Sequence, residues 1–148
     1  MTILLNTNAR KIAMDAPTVP LESPLLISSE DNVVVLTLNR PRQFNALSLA
    51  TLHALHAALD TIRDDTATRV VVIAANGNAF CAGHDLKEMR AANDQALVTN
   101  LFRLCSDMML KIAKLPVPVI AEVNGMATAA GCQLVAQCDL AVASNTAT

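Results

Sequence analysis

Stretches rich in β-branched and aliphatic residues alternate along this chain with runs of apolar residues at helical spacing. Leu25 to Ser28, a polar break at Ser29-Glu30-Asp31-Asn32, and the run Val33 to Leu38 predict a strand hairpin, which Pro41 ends. Ser48 is placed to cap a helix whose apolar residues Leu49, Leu52, Leu55, Leu59 and Ile62 share one face until Asp64-Asp65-Thr66 breaks the pattern. Arg69 to Ala74 has the continuous apolar character of a strand buried on both faces, and it leads into a polar loop from Ala75 to His84. Asp85 is suited to begin a short helix, and a longer one is expected from Asp94 to Lys114, stopped by Pro116 and Pro118. Val117 to Val123 reads as another strand. It passes through Asn124-Gly125 and a small-residue segment, Met126 to Gly131, into a helix from about Cys132 and a last strand at Leu140 to Ser144.

Strands alternating with helices make this an α/β protein. Residues 1–23 read as an extension, and residues 24–148 as the folded core. The Ala75–His84 loop and the Asn124–Gly131 segment each leave a strand and enter a helix. Backbone N–H groups at such corners can hold an anion, so the two corners could form one site.

Composition narrows the function. The 11 Lys and Arg form no dense run and there is no Trp or Tyr to stack bases, so nucleic acid is not an expected partner. Glu122, Asn124, Gln133, Gln137 and Asp139 interrupt the most apolar region, Val117 to Ser144, which therefore reads as buried core and not as a membrane span. Cys81, Cys105, Cys132 and Cys138 form no CxxC pair and have no His at zinc-ligand spacing, so free thiols and no metal are expected. Residues 1–23 lack the apolar block of a secretory signal and mix Arg10 and Lys11 with Asp15 and Glu22. A cytoplasmic location is expected, with the mitochondrial matrix as the alternative. No P-loop lysine motif, GxGxxG, GxSxG or HExxH occurs to anchor the commonest nucleotide, hydrolase or zinc chemistry.

Four blocks carry a resemblance. Leu38-Asn39-Arg40-Pro41 with Asn45-Ala46-Leu47, Ala79 to Leu86 (AFCAGHDL), Pro118 to Gly125 (PVIAEVNG), and Ala129 to Leu134 with Cys138 to Ala143 occur in the order of crotonase-superfamily signatures. The sequence thus resembles the enoyl-CoA hydratase/isomerase group over about Leu25 to Ser144. The resemblance implies a crotonase-like spiral of strand-strand-helix units. Members of the family are longer than this chain, and their C-terminal helices complete the site and pack subunits into trimers or hexamers, so the chain is expected to be the N-terminal part of such a protein.

By position, the resemblance assigns the backbone N–H groups of His84 and Ala130 to an oxyanion hole, which holds a thioester oxygen as negative charge develops on it. It places Gln133 where hydratases of the family carry a glutamate. It also implies a CoA thioester site lined by Ala46, Ala82, Gly83, His84, Asp85, Leu86 and Lys87, with coenzyme A entering as part of an acyl-CoA or enoyl-CoA substrate and no separate cofactor. Arg42 is the candidate for a CoA phosphate, because a guanidinium fork matches phosphate oxygens, with an ordinary solvated arginine as the plainer reading. Side by side with these stand plainer readings: Asp85 as a helix cap, the His84 ring pointing away while its N–H works, and Glu122 as an exposed or ion-paired carboxylate. His53 and His56 read as surface or boundary residues, and Met108 and Met109 as packing. An acyl-CoA enzyme of hydratase or isomerase type is the expectation. A non-catalytic acyl-CoA binder, favoured by Gln133, is the alternative.

Overall fold

A computed structural model describes residues 23–92 and 94–148; the proposed extension therefore lies almost wholly outside the described residues. The chain forms repeated strand-strand-helix units. Strands β1 (Leu25–Glu30) and β2 (Val33–Leu38) are followed by α1 (Leu49–Asp64). Strands β3 (Val70–Ala75) and β4 (Ala79–Cys81) precede α2 (Leu86–Ala92) and α3 (Gln95–Ala113). Strands β5 (Val119–Val123) and β6 (Met126–Ala127) precede α4 (Ala130–Gln137), and β7 (Leu140–Ala143) follows. The main sheet has the order β1-β2-β3-β5-β7, antiparallel at β1-β2 and parallel elsewhere, while β4 and β6 pair in a second, two-stranded sheet.

The hairpin break is tighter than the polar run Ser29–Asn32 suggests. Ser29 and Glu30 stay in β1, and only Asp31 and Asn32 turn, with φ of 49° and 65°. Residues of this type tolerate the positive φ that a two-residue hairpin turn demands. Helix α1 begins as expected, with the Ser48 hydroxyl accepting the Thr51 N–H at 3.2 Å. Its apolar face, Leu52, Leu55, Leu59 and Ile62, is buried in the core. Burial of each leucine contributes roughly 1.5–3 kcal/mol, which makes this face the main tie between α1, the sheet and α3. Helix α3 is capped by Asp94, whose carboxylate accepts the Ala96 N–H at 2.8 Å. Met108 and Met109 are buried, and His56 Nε2 lies 2.9 Å from the Leu104 carbonyl at the α1–α3 boundary, while His53 is exposed.

Several expectations need correction. The Ala75–His84 segment is not loop throughout, because Ala79–Cys81 is strand β4, and Met126–Ala127 pairs with it. Helix α4 starts at Ala130, two residues before the expected Cys132. In β3, Val71 and Ile73 are fully buried but Val70 and Val72 only half so. The region from Val117 is not buried to its end: among the described residues β7 lies at one edge of the sheet, with Leu140 61% and Val142 65% exposed. No helix among the described residues is long and apolar enough to cross a membrane.

Candidate functional site

In a parallel sheet, the loops leaving the carboxyl ends of the strands meet at one rim, where ligands commonly bind. Here those loops are residues 39–48 after β2, the β3–β4 and β4–α2 connections, and residues 124–129 after β5. Asn45 organises the first of them. It is 1% exposed, has φ of 53°, and donates through Nδ2 to the carbonyls of Asn76 and Ala79, both at 2.8 Å. Its Oδ1 accepts the Arg40 N–H at 2.8 Å. One amide therefore ties the β2 loop to the turn before β4. At the other side of that turn, Asn124 Nδ2 donates to Ala75 O at 3.0 Å and Gly77 O at 2.7 Å.

The β2 loop is also stitched to the corner after β4. Ala82 N–H donates to Phe44 O (3.0 Å), Leu47 N–H to Gly83 O (2.7 Å), and Asp85 N–H to Leu47 O (3.2 Å). Asp85 is the helix cap that the sequence suggests, with Oδ1 accepting the N–H groups of Lys87 and Glu88. Its Oδ2 does more: it pairs with Arg40 Nη1 at 3.0 Å, and the same nitrogen donates to Ala46 O at 3.1 Å. Glu88 Oε2 adds a bond from the Leu49 N–H at 2.9 Å. Arg40 and Asn45 lie in the first of the four blocks, where the sequence alone assigns them no role. The usable signal was an Asn in a Pro-Arg-Gln-Phe-Asn turn, next to an arginine that a buried acid needs.

Burial works against the Asp85 carboxylate, but the hydrogen bonds from Glu88 N–H, Arg40 and Lys87 N–H together hold it below the ordinary carboxylate value. A group with a depressed folded-state pKa adds stability above its unfolded value, and that stability is lost as pH falls through the folded value. Asp85→Asn, which keeps a capping oxygen and removes the ion pair, should cost about 1–2 kcal/mol at neutral pH. The difference from the parent chain should shrink toward zero in acid, as measured by urea unfolding at several pH values. A constant difference across that range would refute the ion-pair contribution.

The corner after β4 meets the start of α4. Gly83 has φ of 90°, and a Cβ there would stand 3.1 Å from the Ala130 nitrogen and 3.0 Å from the Ala129 methyl. Gly131 is packed even closer, since a Cβ there would fall 2.0 Å from Cys81 O. Only glycine permits both approaches. Ala129 itself has φ of 51° and ψ of −124°, a backbone state that costs an alanine about 1–3 kcal/mol and persists only where its surroundings enforce it. The result is a pair of neighbouring backbone donors. Gly131 N–H is engaged by Thr128 O (2.8 Å) and Gln133 N–H by Ala129 O (3.1 Å), whereas the N–H groups of His84 and Ala130 take part in no hydrogen bond among the described residues.

The remaining predicted residues occupy varied places. Ala82 is half-buried and Ala46 buried beside the corner, whereas Leu86 and Lys87 open α2 with exposed side chains. Arg42 is exposed in the 3₁₀ turn Pro41–Gln43, and its side chain makes no hydrogen bond or ion pair among the described residues. Gln133 lies three residues past Ala130 on α4, with an exposed side chain, and Glu122 is exposed on β5. The four cysteines are free thiols; burial pushes Cys81 and Cys138 up to about 11, away from reactivity.

The family described as enoyl-CoA hydratase/isomerase matches residues 28–148. The chain belongs to that family. A crystal structure of enoyl-CoA hydratase from Mycobacterium smegmatis is 60% identical and superposes with a TM-score of 0.80, covering 82% of this chain and 48% of that one. Rattus norvegicus enoyl-CoA hydratase domain-containing protein 3, mitochondrial, is 44% identical over 87% of this chain and 44% of its own length. The 2,3-dehydroadipyl-CoA hydratase of Escherichia coli is 41% identical over 84% of this chain and 48% of its own. The chain thus spans somewhat under half the length of the curated relatives it matches. Within the enoyl-CoA hydratase/isomerase family, the Gly83–Lys87 and Thr128–Gln133 blocks look like domain-containing protein 3, in keeping with the rat relative, and the crotonase-like fold is the one expected.

Proposed function

We propose that this chain contributes the thioester-binding half of an acyl-CoA enzyme of hydratase or isomerase type, acting on a fatty acyl or related enoyl-CoA. The observation that carries the reading is the pair of unengaged N–H groups, His84 and Ala130, on two corners held together by Gly83. Together they would form an oxyanion hole, in which each donor is typically worth about 3 kcal/mol once charge develops on the thioester oxygen. Ala46, Ala82, Gly83, Asp85, Leu86 and Lys87 would border the thioester, with Arg42 exposed and free to meet a CoA phosphate. Coenzyme A enters as part of the substrate, with no further cofactor in the scheme, and a homotrimer or hexamer is the proposed assembly of the intact protein.

Gln133 shapes the chemistry. Its amide can orient a water or a thioester but cannot exchange a proton near neutral pH, so the acid-base group must come from elsewhere in the intact protein. The hydratase names of the relatives support an enzyme over a non-catalytic acyl-CoA binder. The name of the rat relative supports the mitochondrial matrix, the alternative to the cytoplasm, as the compartment in a cell that has mitochondria.

Calorimetric titration with butyryl-CoA, which has no double bond to hydrate, tests the reading in this chain and in one continued to the length of its relatives. Binding by the longer protein supports a thioester site, and binding by this chain places its determinants before Thr148. Absence of binding by both folded proteins would leave the family membership as a statement about fold.

A further inference from the structure

Any role of the His84 side chain is separate from that of its N–H. The imidazole lies against the Phe102 ring of α3, with ring centroids 4.7 Å apart and planes inclined by 51°. Its Nε2 is buried with no hydrogen-bond partner among the described residues. A buried polar atom without a partner calls for an explanation, since such groups are normally satisfied. Phe102 is 48% exposed, so this contact does little for the core. What it does is join α3 to the one residue that connects Gly83 O, bonded by Leu47, to Asp85 N–H, bonded to Leu47 O.

We propose that the neutral His84 imidazole is a positioning residue: packed on Phe102, it fixes the β4–α2 corner so that the His84 N–H stays beside that of Ala130. The chemistry requires the neutral form. A protonated ring carries a second N–H donor and a charge, and a buried Nε2 without an acceptor can satisfy neither. Burial accordingly holds the imidazole below the ordinary histidine value.

The charged groups on the flanking elements do not offset this. Asp85 is already paired with Arg40, and Glu88 accepts from the Leu49 N–H. Lys87, Arg90 and Arg42 are exposed, and on α3 Arg103 and Asp107 flank Phe102 along an open surface groove with opposite signs. Cys105, buried on the same helix, has its thiol pushed up and stays neutral. Acidification therefore selects a state in which the ring leaves Phe102 for water and the corner loosens.

The inference rests on the proposed thioester site for its functional meaning but not for its test. Amide exchange on this chain, expressed as protection factors, reads the corner directly through the Leu47 and Asp85 N–H groups. In the parent chain their protection should fall at least about fivefold between about pH 7.5 and pH 5.5, across the histidine range. His84→Phe keeps an aromatic contact and cannot titrate, so its protection should stay level. His84→Ala should lower protection at every pH, with circular dichroism confirming the fold; if it does not fold, His84→Phe alone decides. Equal protection in parent and His84→Ala, or the same acid loss in His84→Phe, overturns the proposal. Butyryl-CoA titrations should follow protection. Exchange that behaves as expected without butyryl-CoA binding would keep the positioning role and remove the thioester reading.

Discussion

Asn45→Ala should destabilise the chain by about 3 kcal/mol, the effect of removing the partner of one buried carbonyl, one part-buried carbonyl and one backbone N–H. The side chain makes three hydrogen bonds at 2.8 Å, to Asn76 O, Ala79 O and Arg40 N. Alanine replaces none of them and also meets the left-handed backbone at φ 53°, which costs a residue with an ordinary Cβ about 1 kcal/mol. Two companion variants separate these causes. Asn45→Gly loses the same hydrogen bonds but not the conformational penalty, so it should be less damaging than alanine by about 1 kcal/mol. Asn45→Asp keeps an acceptor for Arg40 N–H but turns a carboxylate oxygen toward two carbonyls, and should be at least as destabilising as alanine. With no Trp or Tyr in the sequence, urea unfolding is best followed by far-ultraviolet circular dichroism. A loss under about 1 kcal/mol for Asn45→Ala would mean that this amide does not organise the rim.

That rim was only partly legible in the sequence. Hydrophobic period placed α1, α3, β2 and β5 well, because each presents one apolar face to a common core and is bounded by its own local signal, an N-cap at Ser48 or Asp94 or a proline. The short strands β4 and β6 were not legible. Each is too brief for a period to register, and their pairing depends on long-range approach, such as the fit of Gly125, just before β6, against Asn78 O, just before β4. The exposure of β7 among the described residues was hidden for a related reason: its residues are apolar, and apolarity does not say which strand has a neighbour on each side. For the proposed site, motif position singled out His84 and Ala130. The polar frame was missed, since Asn45 and Arg40 act through carbonyls and a carboxylate up to 45 residues away. No local pattern encodes such partners.

Ala130→Pro gives the largest functional effect expected. Proline is well tolerated at the first position of a helix, where its missing N–H would have no intrahelical partner, and Ala130 is the first residue of α4. The substitution therefore removes one backbone donor while sparing the helix. If that donor faces a developing oxyanion, thioester turnover in the intact protein should fall about 100- to 1,000-fold. Ground-state binding of butyryl-CoA should weaken far less, because the oxygen of a resting thioester carries little charge. Ala130→Ser keeps the N–H and adds one hydroxyl at a buried position, 4% exposed, so it should cost some stability but retain most turnover. Ala129 is strained, and a following proline disfavours many backbone states of the residue before it. Ala129→Gly in the same background removes that strain without restoring the donor. If the double variant Ala129→Gly/Ala130→Pro recovers turnover, the loss came from the backbone and not from the donor. If it refolds fully and stays inactive while Ala130→Ser works, the Ala130 N–H is the group that matters.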